Sequence, residues 1–205
     1  MNIEVKTSNR PIPYKTAINA LEKRVVDVRN GVKKELIWVL EHPITYTGGV
    51  RYKEEEILDK KISIIKTNRG GKLTLHNRGQ KIIYFVINLN NRKKDIRLLV
   101  NKIEKSIIEF LNIYGVKGNI DRKNIGIWVE GKKISAIGIR VKKWIAYHGC
   151  SININNDLNL YNKIIPCGLN NKNVTSLLEL GIKKPLRINF NLKKIFLKNL
   201  SKTWI

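Results

Sequence analysis

The run Ile82-Ile83-Tyr84-Phe85-Val86-Ile87-Asn88-Leu89, followed five residues later by the periodic stretch 95–114, decides the fold class of this chain. Residues 82–89 are an almost unbroken apolar run rich in β-branched and aromatic side chains, which reads as a strand buried on both faces. In 95–114, Leu98, Leu99, Ile103, Ile107, Phe110 and Leu111 recur at helical spacing and form one apolar stripe. A strand without a wet face needs cover on both sides, so the chain is read as α/β (α+β), a mixed sheet packed with helices.

The flanking segments extend this pattern. Ala17, Ile18, Leu21, Val25 and Val28 make 14–30 an amphipathic helix, with Gly31 placed to stop it. A short strand at 36–40 is closed by Pro43, and 54–58 reads as a brief helical turn. Segments 62–66 and 72–76 flank the turn Arg69-Gly70-Gly71. Residues 126–129 and 133–141 form a hairpin across Glu130-Gly131-Lys132, 144–154 a further strand, and 173–180 and 192–202 helices. No repeat or Pro/Ser-rich linker divides the 205 residues, so residues 1–205 are expected to be a single catalytic domain.

Composition sets limits on function. No stretch approaches the roughly 18 apolar residues of a membrane span, and the first residues lack a signal-peptide pattern, so a cytoplasmic protein is expected. Two cysteines make no disulfide framework, and three scattered histidines lack zinc-ligand spacing, so no metal is expected. A formal charge of +24 raises nucleic-acid binding. Yet 29 of the 40 basic residues are Lys, in a chain also crowded with Asn and Ile, which is the mark of a compositional drift that spreads lysine over the whole surface. Trp38, Trp128 and Trp144 lie in strand-like apolar runs and read as core, not as a platform for bases. The basic surface is instead expected to speed encounter with acidic protein partners.

Three features carry chemistry: the turn in Arg69-Gly70-Gly71-Lys72-Leu73-Thr74-Leu75-His76, Lys133 among apolar neighbours, and Cys167 between Pro166 and Gly168. Together they are parts for moving an acyl group through a thioester. Alone, an Arg-Gly-Gly turn is a plain turn and a lysine beside a hairpin is a solvated one. A thiol near its ordinary pKa of about 8.5 needs help to ionise, which Lys133 can give as a neighbouring cation or as a neutral base. Strand alternation admits only one of Lys132 and Lys133 to such a site. Backbone N–H groups near Gly71 or Gly168 are candidate oxyanion donors.

With these motifs joined by Glu41-His42-Pro43, Thr47-Gly48-Gly49, Tyr147-His148-Gly149 and Val174-Thr175-Ser176-Leu177 in order, the chain resembles the lipoyl(octanoyl) transferase family. The resemblance implies a fold similar to the catalytic domain of biotin and lipoate protein ligases. It implies Cys167 as nucleophile and Lys133 as its assistant, the choice of Lys133 over Lys132 following the family register. It further implies substrate contacts along Arg69, Gly70, Gly71, Lys72, Leu73, Thr74, Leu75 and His76, along Ala136, Ile137 and Gly138, and along Gly149, Cys150 and Ser151. His76 and His148 are candidates to orient substrate, whereas His42 is read as a structural hydrogen-bonder and Cys150 as a small buried hydrophobe. The expected donor is octanoyl-acyl carrier protein, and the expected acceptors are lipoyl domains of 2-oxoacid dehydrogenase and glycine cleavage proteins. No cofactor is expected, and the protein is expected to be a monomer. Apolar residues of 82–89 and 134–139 are expected to line the acyl tunnel. The rival readings are an ATP-dependent lipoate or biotin ligase on the same fold, and a basic nucleic-acid-binding module.

Overall fold

A computed structural model describes residues 2–166, 174–201 and 204. The chain enters through β1 (Ile3–Thr7) and α1 (Tyr14–Arg29) and returns as β2 (Glu35–Leu40), parallel to β1. It then leaves the main sheet for three short strands, β3 (Thr45–Gly48), β4 (Ile64–Lys66) and β5 (Leu73–His76). Strand β6 (Gln80–Asn88) comes back antiparallel to β2, and α2 (Ile96–Asn112) follows. A meander of β7 (Asn119–Ile120), β8 (Gly126–Val129), β9 (Lys132–Lys142) and β10 (Ile145–Asn153) completes the sheet, and α3 (Ile188–Ser201) closes the fold. The large sheet runs β1-β2-β6-β10-β9-β8-β7, and the small one β4-β3-β5.

Strand alternation sorts the core into layers. Ile37, Val39, Ile83, Phe85 and Ile87 point to one face, where the stripes of α2 and α3 cover them. Leu36, Trp38, Leu40, Ile82, Tyr84 and Val86 point to the other, where Ala17, Leu21, Val25 and Val28 of α1 cover part of it. Each such fully buried side chain contributes roughly 1.5–3 kcal/mol of apolar burial. Helix α2 begins where Asp95 accepts the Leu98 N–H at 3.0 Å, an N-cap of about 1 kcal/mol. Between sheet and α3 lies one buried ion pair: Arg92 meets both carboxylate oxygens of Glu35, and its Nη2 donates to the Leu200 carbonyl at 3.1 Å.

The structure departs from the sequence reading in definite places. A strand the sequence did not announce, β3, lies in the small sheet between segments 62–66 and 72–76. The helix expected over 173–180 is not formed in its described part. There the sheet edge takes the backbone donors, with Leu177 N–H bonded to the Asn153 carbonyl at 3.2 Å and Leu178 N–H to that of Ile154 at 2.8 Å. The last helix starts at Ile188, four residues before the expected start at Leu192. Trp144 is not core: Lys143 and Trp144 both take left-handed φ (51° and 63°) at the β9–β10 turn, leaving the indole 39% exposed.

Candidate active site

Strand β9 supplies the site's deepest cation. Its alternation buries Lys133 to 6% exposure while Lys132 stays exposed. The Lys133 ammonium lies 5.3 Å from the Trp128 ring centroid, a cation–π contact across the β8–β9 pair. Its stem passes directly over Gly126, where an added Cβ would come within 2.4 Å of Lys133 Cε. The Lys133 carbonyl accepts the Thr175 N–H at 3.0 Å, and Val174 forms a parallel bridge to Lys133. The chain that re-emerges after residues 167–173 is thereby tied to the lysine's own backbone. Cys167, the expected nucleophile, lies outside the described residues, as does Gly168.

The Arg69-Gly70-Gly71 turn is clamped between the two sheets. Gly70 N–H bonds the Ile139 carbonyl of β9 at 3.1 Å, while Val50 and Arg51 N–H groups bond the carbonyls of Arg69 and Gly71, each at 3.0 Å. Inside the turn the buried Arg69 guanidinium donates to the carbonyls of Thr47, Gly70 and Lys72 and to the Thr47 hydroxyl. A buried positive charge is thus held by backbone dipoles without a carboxylate.

That charge sits among neutral histidines. His148 Nε2–H donates to Asn68 Oδ1 at 2.7 Å, and its Nδ1 has no hydrogen-bond partner among the described residues. Burial, with Arg69 and Arg140 nearby, pushes its pKa down to about 3. His76 donates through Nδ1 to Gln80 Oε1 at 2.8 Å, and burial, reinforced by His42 and Arg69, holds it well below the ordinary histidine range. His42 is satisfied on both nitrogens, donating to the Ile12 carbonyl at 2.6 Å and accepting from Tyr84 at 2.9 Å. Tyr14 stacks on His76 with ring centroids 5.8 Å apart. Strand β10 approaches β6 so closely that an added Cβ on Gly149 would sit 1.9 Å from the Ile83 carbonyl oxygen, which only glycine permits.

These pieces enclose a cleft of about 570 Å³, within the size range of small-molecule sites. Lys133, Arg69, Gly70, Gly71, Lys72, Thr74, His76, Ala136, Ile137, Gly138, His148, Gly149, Cys150 and Ser151 all line it. Leu73 and Leu75 do not. Strand β5 turns them away from the cleft to pack with Tyr46, Tyr161 and Ile164 under the small sheet. Of the expected tunnel strands, Ile82, Tyr84 and Ile139 line the cleft, whereas Ile134 belongs to the core behind it. Burial raises the Cys150 thiol well above its ordinary range, so it is inert as a nucleophile there. Tyr14, Arg51, Ile96, Val100, Arg122 and Lys123 also line the cleft and escaped the sequence reading, having no local motif. Among the described residues no group of His, Cys, Asp or Glu is arranged to hold a metal ion.

Comparison with known proteins places the fold. A family model described as the lipoyl protein ligase A/B catalytic domain matches residues 14–194. An octanoyltransferase of Wolbachia sp. subsp. Brugia malayi is 41% identical over 202 residues, covering 96% of this chain and 98% of that protein. One from Ehrlichia chaffeensis is 45% identical over 186 residues, covering 88% and 87%. Among solved structures, a lipoate-protein ligase A bound with ATP superposes with a TM-score of 0.77 at 14% identity, covering 98% of this chain and 87% of that one, which establishes the common fold. The chain belongs to the lipoyl protein ligase A/B catalytic-domain family, among its octanoyltransferases.

Proposed function

We propose that this acyltransferase carries octanoyl from acyl carrier protein to a lysine of lipoyl domains through a thioester on Cys167. One observation supports it above the others: Lys133, buried in the cleft, is bonded through its own carbonyl to the chain directly following residues 167–173. On this reading the Lys133 ammonium stabilises the Cys167 thiolate, whose proton passes to solvent, and the sulfur attacks the donor carbonyl. The tetrahedral intermediate expels the carrier's thiolate, which takes a proton in turn. The neutral acceptor amine then attacks the Cys167 thioester, its nitrogen releases a proton to solvent, and collapse to the amide expels the Cys167 thiolate. An amide is more stable than a thioester, so the cycle runs without ATP. The neutral imidazoles of His76 and His148 leave ring nitrogens that orient the thioester or the amine. The reaction belongs to the cytoplasm, where its protein substrates reside.

The purified protein, given a lipoyl domain, is to be assayed with octanoyl-carrier protein without ATP and, separately, with free octanoate and ATP. Product is expected from the first mixture alone. Product from the second alone overturns the transferase reading in favour of a ligase.

A further inference from the structure

Among the described residues, the charged side chains along the cleft are all of one sign: six cations line it and no carboxylate does. Three of the six have their charge engaged. Arg69 is wrapped in carbonyls, Lys133 faces Trp128, and Lys72 is paired with Glu56 at 2.5 Å.

The other three, Arg51, Arg122 and Lys123, are exposed and make no ion pair among the described residues. Their positions are fixed by their backbones. Arg51 is zipped to the Arg69-Gly70-Gly71 turn by its N–H bond to Gly71. Arg122 and Lys123 come from the far edge of the large sheet, in the turn between β7 and β8. There the Asp121 carboxylate accepts from the backbone of Lys123 at 2.8 Å and from the Asn124 side chain at 2.8 Å, so it shapes the turn. Arg122 reaches toward Asn101 at 3.5 Å, and it offsets part of the burial that raises the carboxyl of nearby Glu104, without forming an ion pair with it. Unlike the buried Arg69 and Lys133, these three side chains stand at the mouth.

We propose that Arg51, Arg122 and Lys123 form an anion subsite at the cleft mouth that takes the phosphate of the donor's prosthetic arm. This rests on the thioester reading above. In a carrier-bound phosphopantetheine thioester the phosphate stands at the end of the arm remote from sulfur. With the thioester at Lys133, deep in the cleft, the phosphate is left at the entrance, which is lined by three exposed cations that make no ion pair among the described residues. Charge-assisted hydrogen bonds to phosphate oxygens suit arginine in particular. Ile96 and Ile125, 41% and 47% exposed beside the same mouth, offer apolar surface to the arm between its polar groups.

The test compares three donors, octanoyl-pantetheine, octanoyl-phosphopantetheine and octanoyl-carrier protein, on wild type and on the Arg51→Gln/Arg122→Gln/Lys123→Gln variant, with thermal melting to verify folding. The readout is the ratio of kcat/KM between the phosphorylated and unphosphorylated small donors. Wild type is expected to favour the phosphorylated donor by about tenfold, and the variant to bring that ratio close to one. A wild-type ratio near one, or an unchanged ratio in the variant, overturns the proposal. So does a variant that loses activity on carrier protein alone, which would mean that the rim reads the acidic protein surface. Wild type that ignores all three thioesters yet consumes octanoate and ATP removes the transferase reading, and the phosphate subsite with it.

Discussion

The carbonyl of Lys133 accepts the N–H of Thr175 at 3.0 Å, so the strand carrying the candidate catalytic lysine also anchors the chain that follows the expected nucleophile. Thr175→Pro deletes that donor while its ring leaves Val174 in the extended conformation it needs for the bridge. Loss of about 1 kcal/mol of stability is expected, with a fall of tenfold or more in acyl-enzyme formation. A stopped-flow acylation assay beside a urea titration distinguishes the two effects; parallel, equally small losses would contradict a positioning role for this bond.

Gly126 and Gly131 flank the same β8–β9 hairpin with opposite consequences. A Cβ at Gly126 would lie 2.4 Å from both Lys133 Cε and the Ser135 carbonyl oxygen, whereas one at Gly131 meets nothing within 4 Å. Gly131→Ala, at φ +74°, is expected to cost about 1 kcal/mol of backbone strain and leave kcat alone. Gly126→Ala is expected to displace the lysine and lower kcat at least tenfold. Steady-state kinetics on the two variants decides it, and equal kcat values would refute the displacement.

Arg92 and Glu35 form a buried pair between β2 and the end of α3. Removing one partner strands the other charge in the core, so Arg92→Met is expected to destabilise the protein by about 3–5 kcal/mol. Activity per folded molecule should be retained, because neither residue lines the cleft. Chemical denaturation and active-site titration measure the two quantities.

Stability should decline on mild acidification. Burial depresses His42 to about 4 and His148 to about 3, while an unfolded histidine titrates near 6.5. Between those values the unfolded chain binds more protons than the native one, so stability is lost as pH falls from about 6.5 toward 4. The urea midpoint is expected to drop between pH 7 and 4.5, and His148→Asn to reduce that slope by about one proton. A flat profile would mean that these imidazoles take up their protons in the native state over the same pH range as in the unfolded chain.

What the sequence made legible followed from periodicity. The apolar run 82–89 and the stripe of α2 are long and one-patterned, and both appear where expected. Strand β3 is four residues long and ends in glycine, giving alternation too little length to register. The segment 174–180 has helix-compatible residues, but its backbone donors are claimed by β9 and β10, a tertiary override that no local pattern reveals. Trp144 misled because its apolar run was read as a buried strand, when its place at a tight turn exposes it. For Leu73 and Leu75 the signal was present: alternation from Lys72 through Thr74 to His76 already assigns the leucines to the opposite face. Tyr14, Arg51 and Arg122 were invisible because the cleft gathers residues from three distant parts of the chain.

The central claim is a covalent octanoyl on Cys167, and intact-mass spectrometry after incubation with octanoyl-carrier protein, without acceptor, tests it most directly. The thioester mechanism predicts a single octanoyl adduct mapping to Cys167, absent from Cys167→Ala and formed 10²–10⁴-fold more slowly, by order of magnitude, in Lys133→Met than in Lys132→Met. Full transfer to a lipoyl domain by Cys167→Ala, with no adduct on the wild-type chain, would contradict it.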